Sequence, residues 1–223
     1  ISYLNGIKSS KSNFTNIIPN NFSDFQRIGF NYYKYLENFE KNESIKKINA
    51  LKKDSILFEI NEFGLLKNKL DSILLVNFED KLFLNNEIIK NSEDSYNYRS
   101  YKVHKLRNPI IDYRYLKFIN YKLKQNYASV IEDKLVISKS ENSLEKLIIN
   151  ISNSSTIINE NKFNQAFKEI PEKSNYLKVY DLKNSKIKTL ESINISKEKF
   201  PYLINHIRLD DNIIYNSFST VKS

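Results

Sequence analysis

Apolar positions change their spacing several times along this chain, and each change predicts a different element. Residues 1–22, ISYLNGIKSSKSNFTNIIPNNF, hold no sustained period and are rich in Ser and Asn. They predict an extended leader or tether that crosses the surface, with Pro19 opposing a helix. Between residues 23 and 63 the pattern turns helical twice. Tyr32, Tyr35, Leu36 and Phe39 share one face, and Ile45, Ile48 and Leu51 share another, after Asn42 and Ser44 as candidate caps. Gly64 closes the apolar stretch that follows. Ile73, Leu74, Leu75 and Val76 then form an unbroken apolar run, as expected of a strand covered on both faces.

Residues 85–97, NNEIIKNSEDSYN, read as a polar connector, after which Tyr101, Val103 and Lys105 alternate with Lys102 and His104 in a strand that Pro109 ends. NYASVIEDKLVISKS predicts a hairpin turning at Glu132, Asp133 and Lys134. A helix follows, with Leu144, Leu147, Ile148 and Ile151 on one face and Asn142 with Glu145 as a capping box. ISNSSTIINEN loops out. Phe163, Ala166, Phe167 and Ile170 mark a further helix that Pro171 terminates. Beyond it, strands are predicted at residues 176–180, 187–195, 202–209 and 213–218, the last two joined by a turn at Asp210, Asp211 and Asn212.

These elements give an α+β fold, an antiparallel sheet packed with amphipathic helices. Its divisions are the leader at 1–22, an α+β domain at 23–182, and strands at 183–223 that continue the sheet or open a further domain. Strand, helix and strand recur in both halves, the order two related subdomains would give. A last strand with no helix after it leaves an edge able to pair with another chain or with polypeptide beyond Ser223.

Composition narrows the function. At 40% hydrophobic and 27% charged the chain is globular in type, and the lack of Cys removes disulfides and thiolate ligands and leans towards export. Only three Ala stand against 30 Ile and 31 Asn, a skew of AT-rich coding, so enrichment in one residue type carries little meaning. The net charge of +9 attracts polyanions. It is spread, however, with 17 basic and 13 acidic residues at 1–110 and 18 and 13 at 111–223. Lys46-Lys47 and Lys52-Lys53 are interrupted by Glu43 and Asp54, unlike a polybasic arm, so nucleic-acid or polyanion binding stands second. No apolar run approaches the roughly 18 residues of a membrane span.

Catalytic machinery is not legible. Two histidines, His104 and His206, are too few for a zinc centre, and each reads as a sheet residue. Three scattered glycines, Gly6, Gly29 and Gly64, exclude the phosphate-binding loops, the dinucleotide fingerprint and the hydrolase elbow. The acidic pairs Glu79-Asp80, Glu93-Asp94, Glu132-Asp133 and Asp210-Asp211 all fall in predicted turns, where such residues bond their own backbone. The expectation is a non-enzymatic domain without cofactor or metal.

Fifteen Tyr and 14 Phe supply the core volume that absent Trp and Met cannot. A stacking role is testable at Tyr113, Arg114, Tyr115 and Tyr121, where rings and cations interleave. The open sheet edge makes Tyr202, Ile204, Ile213, Tyr215 and Phe218 the candidates for strand addition by a partner.

Three segments carry a resemblance. They are Tyr98, Tyr101 and Val103 in NYRSYKVHKL; Leu135, Val136, Ile137, Ser138, Ser140 and Leu144 in the hairpin and its helix; and Phe163, Phe167, Asn175 and Tyr180 in INENKFNQAFKEIPEKSNYLKVYDL. Over about residues 70–182 the plan resembles a family of Bacteroidota envelope lipoproteins and exported proteins of unknown function. The resemblance implies an α+β domain in the periplasm or at the cell surface, associated with the outer membrane through a lipidated terminus whose Cys this sequence lacks. Its partners would be other envelope proteins, as for an accessory subunit of an outer-membrane complex.

Overall fold

The computed structural model describes residues 2–52, 55–68, 71–113, 116, 123–168, 171–185, 200–210 and 213–220. Ten strands form one antiparallel sheet: β1 (Asp24–Gly29), β2 (Ile60–Lys67), β3 (Ser72–Phe78), β4 (Ser92–Tyr98), β5 (Tyr101–Leu106), β6 (Tyr127–Ile131), β7 (Lys134–Ser138), β8 (Tyr176–Asp181), β9 (Tyr202–Asp210) and β10 (Ile213–Thr220). Their order is β10-β9-β8-β1-β2-β3-β7-β6-β5-β4. Among the described residues five helices pack on it: α1 (Tyr32–Glu40), α2 (Ile45–Lys52), α3 (Lys81–Asn91), α4 (Glu141–Ser152) and α5 (Asn161–Lys168). The fold is α+β.

Both faces of the sheet's centre are buried, which is why β3 reads as a solid apolar run. Leu74 and Val76 join Phe63, Leu135 and Ile137 under α1, α2 and α3, with Tyr35, Phe39, Leu51, Leu84 and Ile88. Ile73 and Leu75 face the other way, to Val136 and to Leu144, Ile148 and Phe163 of α4 and α5. The hairpin β6–β7 turns at Glu132 (φ 48°) and Asp133 (φ 64°), a two-residue loop whose left-handed backbone matches the twist of its strands.

The leader differs from expectation. Phe14, Ile17, Ile18 and Phe22 have no exposure and form part of the second core. The segment is irregular, as its Ser, Asn and Pro content requires, but residues 14–22 pack beneath the sheet instead of crossing the surface, and Leu4 and Ile7 are buried in a separate cluster with Ile28 and Leu209. Gly64 makes room for it. A Cβ there would meet two ring carbons of Phe14 at 3.0 Å and Leu75 Cβ at 3.1 Å, so this residue sits inside β2 as the seat of Phe14. Two further strands, β1 and β2, also went unseen, because Asp24, Gln26 and Arg27 in one and Asn61, Glu62 and Gly64 in the other break the apolar pattern.

The polar connector at 85–97 is a second correction: it is most of α3 followed by β4. Asp80 starts α3, its Oδ1 accepting from Leu82 N at 2.8 Å and Phe83 N at 3.0 Å. Tertiary packing of Leu84 and Ile88 then stabilises a helix whose Asn-rich sequence is a weak former. The cap of α4 is Ser140, which accepts from Ser143 N at 3.3 Å, two residues before the predicted Asn142. Glu145 accepts instead from Tyr96 Oη at 3.1 Å. The expected strand at 187–195 lies outside the described residues, as do Asp211 and Asn212 of the last turn.

Candidate interaction surface

The groups with chemical potential are placed in structural work. Arg27 is fully buried on β1, with Nε donating to Glu62 Oε1 at 2.6 Å, Nη1 to the Ser174 carbonyl and Nη2 to Ser10 Oγ. Glu62 also accepts from Asn13 N at 3.1 Å and Asn13 Nδ2 at 3.0 Å. This saturated network ties residues 10–13 to the sheet, and removal of Arg27 strands a buried carboxylate at a cost of about 3–5 kcal/mol. Sequence spacing gave no sign of it, since the two residues lie on different strands.

His206 is buried, with Nε2 3.0 Å from the Lys173 carbonyl. His104 Nδ1 lies 3.2 Å from Ser92 Oγ, and burial, then the Lys102 charge, lowers its pKa. Among the described residues no three His, Cys, Asp or Glu side chains form a group able to hold a metal ion. Of the acidic pairs, Asp80 caps α3 and Glu132-Asp133 make the β6–β7 turn, whereas Glu93-Asp94 lie within β4 and not in a turn.

The sheet ends differently at its two margins. β10 pairs with β9 alone among the described strands, through eight consecutive residue pairs from Ile213↔Asp210 to Thr220↔Leu203, without a bulge. Along its outer side every second residue turns N–H and C=O away from β9. Its sequence, IIYNSFST, has no charge and no proline. Large apolar side chains stand out from both faces: Ile214 is 58% exposed, Tyr215 46% and Phe218 64%. Tyr215 lies on the face of Arg208, whose guanidinium carbon is 4.9 Å from the ring centroid. Ile214, Asn216 and Phe218 share the other face, opposite Leu209, Ile207 and Asn205.

The predicted residues divide accordingly. Tyr215 and Phe218 are exposed on the outermost strand, and Ile213 occupies its first position. Tyr202 and Ile204 are corrections as surface candidates: they point into the second core, Tyr202 stacked at 6.4 Å on Phe22 and edge-on at 5.6 Å to Phe163, Ile204 with no exposure. Alternation along β9 sends these even-numbered residues inwards, and a strand's facing is not fixed until its neighbours are known. Burial, then Glu160 and Asp181, raises the Tyr202 pKa. Tyr113 is half-buried against the first core and burial raises its pKa too. Arg114, Tyr115 and Tyr121 lie outside the described residues. The sequence reading missed Ile214 and Asn216, which share the face of Phe218.

No family model matches the chain, and no curated protein does. Among solved structures it is similar to three crystal forms of TP0453, a treponemal protein. Form IV has 8% identity and a TM-score of 0.47 over 96% of this chain and 81% of that one. Form I has 9% and 0.47 over 95% and 79%, and form III 9% and 0.46 over 92% and 78%. No helix among the described residues is long and apolar enough to cross a membrane.

Proposed function

We propose that this chain is a non-enzymatic protein-binding domain of the cell envelope that takes up an extended polypeptide strand along the outer side of β10. The observation that carries the reading is an eight-residue, bulge-free terminal strand without a charge or proline and with exposed Ile214, Tyr215 and Phe218. Such an edge is a template for pairing, in which main-chain hydrogen bonds supply affinity and alternate side chains supply selectivity. The envelope placement, with a lipid anchor and membership of an outer-membrane assembly, is supported by the resemblance of residues 70–182, and the absence of Cys suits export alone. The test is a photo-crosslinking side chain at Phe218 in cells, with Asn97 on β4 as control and envelope fractionation alongside. A discrete polypeptide adduct from position 218 in the envelope fraction, lost when Asn216→Lys guards the strand, is expected. Equal adducts from both positions would overturn the binding surface, and a cytosolic protein would overturn the placement.

A further inference from the structure

The outer strand is self-complementary. Ile214 and Phe218 lie two residues either side of Asn216, all three on one face of β10. Residues directly opposite in an antiparallel pair share a face, so two copies of β10 related by a two-fold axis at Asn216 bring Ile214 of each against Phe218 of the other. Asn216 then meets Asn216, and Tyr215 meets Ser217 on the reverse face. No like charges are brought together across the junction, since β10 has no charged residue. Every other register with a two-fold axis on this face leaves Phe218 or Ile214 opposite a polar residue or its own counterpart.

We infer that the strand taken up by β10 is the β10 of a second copy of this chain, joined antiparallel about Asn216 so that two ten-stranded sheets become one. This rests on the proposed reading of the edge and names its partner. The contact itself is uncharged while each chain carries +9, so association strengthens as salt screens the repulsion between the two bodies. A polyanion complex responds in the opposite sense.

The chain has no Cys, so single-cysteine variants report the register directly. In the proposed dimer the two copies of residue 216 have Cα atoms about 4.5–5.5 Å apart, within disulfide reach. The two copies of residue 219 are separated by six residues of strand, about 20 Å. Sedimentation equilibrium on the full chain is expected to give a dimer that Asn216→Lys or Phe218→Lys converts to monomer with unchanged circular dichroism. Mild oxidation is expected to link Asn216→Cys and not Ser219→Cys. A dimer linked through position 219 and not 216 overturns the arrangement. A monomer at all concentrations whose position 218 still crosslinks to another polypeptide in cells removes the second copy and leaves the edge reading standing. A monomer with β10 amides protected from hydrogen exchange and no adduct removes both.

Discussion

The two margins of the sheet, β4 and β10, solve the same problem in opposite ways. A terminal strand offers unpaired backbone to any other chain, and native edges are usually blunted by charge, proline or a bulge. β4 has two of these devices: Glu93 and Asp94 lie on it, and its register to β5 shifts between Ser92 and Asp94. Lys105 Nζ holds Glu93 Oε1 at 2.6 Å across that pair, and Tyr96 and Tyr98 fold back onto the core beneath α4. β10 has none, and it presents Ile214, Tyr215 and Phe218. The difference shows that exposed apolar residues on β10 are not the default of this chain's edges, since the same AT-rich composition has produced a guarded margin at the other end.

The largest effect separates the edge from the strand behind it. Ile204→Lys on β9 buries an unpaired charge in the second core and is expected to cost more than about 4 kcal/mol in chemical denaturation, whereas Phe218→Lys on β10, at a dilution where the chain is monomeric, changes stability by less than about 0.5 kcal/mol. Comparable losses in both variants would mean that β10 is packed and not open. Next is Gly64→Ala, which crowds Phe14 and Leu75 in the middle of the sheet and is expected to cost about 1–3 kcal/mol. A neutral result there would show that the leader packs more loosely than its burial indicates. Exchanging the guards is a smaller intervention. Glu93→Thr with Asp94→Thr on β4 is expected to leave the melting temperature nearly unchanged and to raise concentration-dependent association, read by light scattering, and Asn216→Lys to lower it. If neither variant moves association, charge does not distinguish the two edges.

The smallest effect is a pH dependence confined to the guarded side. The His104 pKa is lowered in the fold by burial and by Lys102, so the unfolded chain binds more protons between the folded and unfolded values. Its contribution to stability is present above the ordinary histidine range and is lost as pH falls through it. Denaturation midpoints are expected to decline gently from pH 7 to 5, and His104→Gln to flatten that decline. Association through β10, which has no His, carboxylate or basic side chain, is expected to stay level over the same interval.

Much of the fold was legible because periodicity reports burial: α1, α2, α4 and α5, the β6–β7 hairpin and strands β3, β5, β8, β9 and β10 all carry clear patterns. What escaped were segments whose burial depends on distant partners. β1 and β2 hide Arg27 and Glu62 inside the sheet, and each side chain looks like a surface residue until the other is placed beside it. Phe14, Ile17, Ile18 and Phe22 sit among polar residues in a stretch with no helix or strand, so only the groove that receives them reveals them as core. At the interaction surface, the sequence located the strand but not its facing. Apolar character alone puts Tyr202 and Ile204 in one group with Tyr215 and Phe218, although the first two point inwards.

By itself the amino-acid sequence determined the α+β class, the spread of its charge, the absence of thiols and the lack of phosphate-binding loops, because these follow from residue identity and local spacing. Tertiary structure alone decided which strands stand at the margins, which face of β9 is core, and where a buried arginine finds its carboxylate. Those are non-local facts. Strand order and register arise from pairings between residues far apart in the chain, and no short window of sequence contains both partners.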